Sequence, residues 1–143
     1  MTELRPLLTK GLRPGVYRWK SDATADQVRR DVAEAGWDFV LLDTSEIHDK
    51  TGFLDLCATA FDLPRWFGRN WDALADSLSD RSTGEPEIVF WAGLDHLLEH
   101  DHDTVDVALQ IFTEDITASG QLRVLIQLEQ GKTPDLLSSL PLL

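Results

Sequence analysis

The four consecutive apolar residues Phe39, Val40, Leu41 and Leu42 constrain this chain more than any other stretch. Such a run marks a strand covered on both faces, the environment of a parallel sheet with helices above and below. It is expected to be the centre of that sheet. Strand and helix signals alternate around it. Residues 16–19 follow a Pro/Gly-marked approach and favour a first strand. Thr24 with Gln27 forms a capping-box pattern, Ala25, Val28, Val32 and Ala35 recur at helical spacing, and Gly36 supplies a stop. From Thr51, Phe53, Leu56, Cys57, Ala60 and Phe61 repeat at three and four, and Pro64 limits that helix beyond Leu63.

Asn70 reads as the N-cap of a further helix whose buried stripe is Trp71, Leu74, Ala75 and Leu78. Residues 88–91 form another apolar strand. Val105, Ala108, Leu109, Phe112 and Ile116 make a core-facing helix stopped by Gly120, and residues 122–128 make a last strand. The tail from Gln130 is expected to be loosely attached. This alternation predicts an α/β fold with a largely parallel sheet and right-handed crossovers, in one domain spanning residues 1–143.

Charge narrows the functions open to such a fold. Against 25 Asp and Glu stand 13 Lys and Arg, a formal charge of −12, which argues against phosphate-backbone binding as the main role. With 43% apolar residues, five Trp and six Phe, the chain can bury a core of single-domain size. No apolar run approaches the ~20 residues needed to span a bilayer, and the first ten residues lack the pattern of a secretion signal. A cytoplasmic location is expected. Cys57 is the single cysteine, so neither an intrachain disulfide nor a multi-thiolate metal cage can form.

Asp72, Asp76 and Asp80 sit four apart and line one face of the helix opposite its apolar stripe. Like charges at that spacing repel by a few tenths of a kcal/mol per pair, and a merely solvated face would more naturally interleave lysines. Helix-dipole stabilisation accounts for Asp72 in the first turn but fades before Asp76 and Asp80. Just ahead lie Arg65, Trp66, Phe67, Gly68 and Arg69, two large aromatics on a short connection beside the carboxylates. That arrangement suits a recognition surface. One aromatic, Phe67, is expected to fold back onto the core, and Gly68 to supply the positive φ of the turn.

The stretch LPRWFGRNWDALADSL, residues 63–78, resembles barstar, the intracellular inhibitor of barnase-type ribonucleases. Residues 40–63 fit the family without a gap, residues 86–91 resemble its Pro-strand-Trp segment, and residues 109–114 its Leu-Gln-Val-Phe-x-Glu stretch. Coverage runs from about Phe39 to Leu128. The resemblance implies a parallel sheet of three strands flanked by helices over residues 37–129, with residues 1–36 adding a strand to one sheet edge or forming a separate cover. It also implies a non-enzymatic inhibitor or immunity protein, monomeric and without cofactor or metal. Its partner would be a basic extracellular-type or toxin ribonuclease, with no direct contact to nucleic acid or membrane.

In barstar-like proteins this helix plugs the ribonuclease active site, and one aspartate takes the place of a substrate phosphate. Asp76 matches that aspartate. The supporting partner contacts correspond to Trp66, Gly68, Asn70, Asp72 and Glu114, and Asp80 extends the same acidic face. Ala75 stands where the best-known members carry tryptophan, and the loop over residues 81–85 is longer and lacks their aromatic. A non-inhibitory module binding another basic protein through the same helix is therefore the alternative reading.

Other chemistry is less supported. Glu99, His100, Asp101, His102 and Asp103 form a dense patch of potential ligands, but the two histidines are two apart and no helical HExxH accompanies them, so a solvated acidic loop is expected. His48 and His96 read as isolated. A single exposed helix face makes no cleft for paired-carboxylate catalysis, and nothing marks Asp72 or Asp76 as desolvated. There is no GxSxG elbow and no glycine-rich phosphate loop.

Overall fold

A computed structural model describes residues 3–64, 67–81, 85–128 and 133–143. In chain order the elements are α1 (Leu4–Lys10), β1 (Gly15–Lys20), α2 (Ala25–Glu34), β2 (Asp38–Asp43), α3 (Lys50–Ala60), α4 (Trp71–Asp80), β3 (Glu87–Ala92), α5 (Leu94–His100), α6 (His102–Ser119) and β4 (Leu122–Leu128). The strands form one sheet in the order β1-β4-β3-β2, and every pairing is parallel. The expected α/β class with helices on both faces is what the chain adopts. Among the described residues the strand count is four: β2, β3 and β4 make the anticipated three, and the N-terminal strand joins the β4 edge.

Side-chain alternation along the strands divides the interior into two layers. Val89 and Trp91 of β3 face a core shared with Phe53, Leu54 and Cys57 of α3, Leu74 and Leu78 of α4, and Phe112 of α6. Ile88 and Phe90 face the other side, where Leu4 and Leu8 of α1 and Val28 and Val32 of α2 cover them. The register places Val40, Val89, Val124 and Val16 in one row across all four strands, each on the first face. Burial holds the Cys57 thiol far above the usual thiol range, as expected of a small apolar side chain with no reactive role.

Four features differ from the sequence expectations. The strand containing residues 39–42 lies at an edge, not at the centre. Its residues are apolar because α2 and α3 cover its two faces, and facial cover is independent of lateral position. Two short helices, α1 and α5, arise where the apolar period is too brief to read: α5 buries only Leu94 and Leu97. The acidic patch is consequently not a loop, because α5 runs through His100 and Asp101 caps α6 by accepting from the Thr104 amide at 3.1 Å. The tail is docked, with Arg18 N–H donating to Pro141 O at 2.8 Å and Leu143 N–H to Arg18 O at 2.9 Å. Leu137 is fully buried, so these residues shield the free edge of β1.

Candidate functional site

The acidic helix is held rigidly at its start. Asn70 Oδ1 accepts from the Ala73 amide at 2.8 Å, completing the expected N-cap, while Asn70 Nδ2 donates to Gly68 O at 3.2 Å. A Cβ on Gly68 would come 3.1 Å from that Nδ2, so the glycine makes room for the bond. The positive φ of the turn falls instead on Arg69, at 50°. That strained residue is braced by its own side chain. Its guanidinium donates to Asp55 of α3 at 2.8 Å and lies 5.2 Å from the Phe67 ring centroid, and Phe67 is folded onto the core as expected. Trp66 lies outside the described residues. Trp71 is half-buried against Phe53, with Lys50 over its outer ring at 5.7 Å.

Leu74 and Leu78 are buried, and Asp72, Asp76 and Asp80 all point to solvent. At about 1.5 Å rise per residue, the carboxylates step along the helix roughly 6 Å apart. Among the described residues, no Lys, Arg or His forms an ion pair with any of them. Glu114 is likewise exposed and unpaired on α6, the helix against which α4 packs. Gly68, Asn70 and the three aspartates are all exposed at the start and along the outer face of α4, and Glu114 is exposed on the neighbouring helix.

Two described arginines that flank this helix are paired with other acids. Arg69 serves Asp55, and Arg81, which ends α4, binds Glu87 at the start of β3 through two parallel bonds of 2.5 and 2.9 Å. Glu87 is 3% exposed. The hydrogen bond to Glu87 raises the Arg81 pKa above its usual value despite burial, with further support from the charges of Glu87, Asp115 and Asp38. Sequence inspection missed this pair because nothing local joins residues 81 and 87.

Asp115 of α6 lies close to the same pair and is 9% exposed. Burial raises its pKa, outweighing the Ser119 hydrogen bond and the attraction of Arg81. The folded state thus holds this proton to higher pH than the unfolded chain and loses stability as pH rises through the raised value. Asp115→Asn is expected to raise Tm at pH 7, with the gain shrinking as pH falls toward the ordinary carboxylate range near ~3.9. Calorimetric melts across that interval check this; a gain that does not vary with pH contradicts it.

His48 and His96, which read as isolated in the sequence, meet His100 with the three ligand atoms within 4.8 Å of one another. His102 stands apart on α6, 4.0 Å from Asp103.

Fold and surface together define a parallel α/β protein with an acidic helix facing outward, whose carboxylates form no ion pair among the described residues. The family model described as Barstar (barnase inhibitor) matches residues 37–129. The chain belongs to the barstar family. That span runs from the residue before β2 through β4, so α1, β1 and α2 precede the family region; β1 joins its sheet, and α1 and α2 cover one face of it. No curated protein matches. One solved structure, titled "Structure of Drosophila ORC bound to AT-rich DNA and Cdc6", is similar in fold alone, with a TM-score of 0.53 and 12% identity over 94% of this chain. This chain spans 46% of that one. No helix among the described residues is long and apolar enough to cross a membrane.

Proposed function

We propose that this protein binds a basic ribonuclease and blocks its active site with α4, acting as a cytoplasmic, monomeric, single-domain immunity protein without catalytic activity of its own. The observation that carries this reading is the set of exposed carboxylates Asp72, Asp76 and Asp80, without an ion pair among the described residues, on a capped helix of a barstar-family chain. A ribonuclease site is positive because it holds a polyanion and stabilises charge developing at phosphorus, so fixed carboxylates can occupy it in place of phosphate. Asp76 takes that place, Asp72 and Glu114 pair with flanking Arg or Lys, and Gly68 and Asn70 set the direction of the helix. Trp66 adds apolar contact. The net charge of −12 speeds encounter with a cationic partner, an effect that salt suppresses.

Ala75 favours one other outcome. It is partly buried and packs toward the core, leaving no large aromatic at that point of the surface. A partner bound there without loss of catalysis would make the protein a non-inhibitory module. Titration of the protein into basic barnase-type ribonucleases is expected to abolish RNA cleavage at a 1:1 ratio for the cognate enzyme. Formation of a 1:1 complex that still cleaves RNA at the free enzyme's rate would overturn the inhibitor reading.

A further inference from the structure

We propose that His48, His96 and His100 form a binding site for a divalent transition cation, zinc foremost, using three imidazole nitrogens and leaving a fourth position open. His48 lies in the connection from β2 to α3. His96 and His100 are four apart on α5, which leaves β3, so both rise on one helix face. Because β2 and β3 are adjacent parallel strands, their outgoing connections emerge side by side at one end of the sheet.

Those connections are fastened to each other before any metal arrives. Thr44 N–H donates to Ala92 O at 2.9 Å, its hydroxyl to Gly93 O at 2.9 Å, and Trp91 Nε1 donates to that hydroxyl at 2.9 Å. Gly93 has φ of 71°, and a Cβ there would fall 2.5 Å from Ser45 N. Only glycine allows this approach. The segments carrying His48 and His96 are thus pressed together, which lowers the ordering entropy lost on coordination.

The three ligand atoms lie within 4.8 Å of one another, and one pair already has the spacing the cation requires. A tetrahedral zinc with bonds of about 2.05 Å places neighbouring nitrogens about 3.3 Å apart, and His48 Nε2 lies 3.3 Å from His96 Nε2. His100 Nδ1 is 2.8 Å from His96 O. A carbonyl oxygen only accepts, so Nδ1 carries the proton and Nε2 keeps its lone pair for a metal, the usual outer-shell arrangement for a ligating histidine. The ring centroids lie 4.3 to 4.8 Å apart. An all-imidazole set on a surface rich in carboxylates selects zinc, copper or nickel over calcium and magnesium.

The test uses the tag-free full chain. Calorimetric titration with Zn²⁺ is expected to show one saturable site per chain, and Co²⁺ to give the visible absorption of a four-coordinate centre. His48→Ala, His96→Ala and His100→Ala should each weaken Zn²⁺ binding by about a hundredfold or more, with metal-free circular dichroism unchanged. His102→Ala, the remaining histidine, should bind as the parent does. Absence of a saturable site overturns the proposal, as does retention of parent affinity in any of the three cluster variants or an equal loss in His102→Ala.

Discussion

Asp76→Ala is expected to weaken binding to the cognate ribonuclease at least ~30-fold, about 2 kcal/mol or more, whereas Asp80→Ala changes it only slightly. The barnase and barstar pair is the reference case for charge-pair hot spots, and this magnitude comes from such interfaces rather than from this structure. The asymmetry follows from position. Asp76 is mid-helix, flanked by Asp72 one turn before and Asp80 one turn after, so in the proposed complex it would meet the centre of a concave partner site and Asp80 its rim. Thermal stability should hardly move. Asp76 is exposed and without an ion pair among the described residues, and its removal relieves two repulsions of a few tenths of a kcal/mol each. Calorimetric titration of both variants, with melts of the free proteins, measures the two effects. Equal small losses would remove Asp76 from the proposed role.

Glu87→Gln is expected to act in the opposite manner, costing stability rather than a direct contact. Glu87 is 3% exposed and receives two bonds from Arg81, whose side chain remains 26% accessible. Removing the negative partner leaves a largely desolvated guanidinium against the Phe61 ring 5.0 Å away, with the lesser attractions of Asp115 and Asp38 in place of the two bonds. Breaking a buried pair this way costs roughly 3 kcal/mol, the lower part of the usual range because water reaches part of Arg81. In a chain of this size that corresponds to a Tm loss of roughly 10 °C. Replacing both partners by apolar residues, Arg81→Met with Glu87→Leu, should recover part of the loss, since neither member of the pair is then stranded, although Asp115 loses the attraction of Arg81. Chemical denaturation of the single and double variants checks this. A double variant as unstable as Glu87→Gln would mean that the ion pair is not the source of the effect.

The contrast between these two positions shows how differently surface and interior were legible. Asp72, Asp76 and Asp80 could be placed on one face from spacing alone, because helical geometry is a local property and the apolar stripe at Trp71, Leu74 and Leu78 fixes which face turns inward. The Asn70 cap and the Thr24 and Gln27 capping box, both present as expected, involve atoms within three residues of each other. Gly68 shows the limit of local reading. A glycine in a turn suggested a positive φ, but Arg69 adopts it, held by Asp55 fourteen residues away.

Residue pattern alone established the α/β class, the alternation of strands and helices, the caps, and an acidic helix face, since each rests on periodicity or on contacts a few residues long. Three-dimensional packing alone decided that β2 is an edge strand, that the N-terminal strand and the C-terminal residues extend and close the sheet, that Arg81 meets Glu87, and that three scattered histidines converge. The strand positions and the approach of His48 to α5 depend on which distant segments the sheet order makes neighbours, whereas Arg81 and Glu87 lie six residues apart and meet where α4 ends and β3 begins. Lateral order in a parallel sheet is set by the competition of whole faces for burial, and that competition leaves no mark on the spacing of residues along the chain.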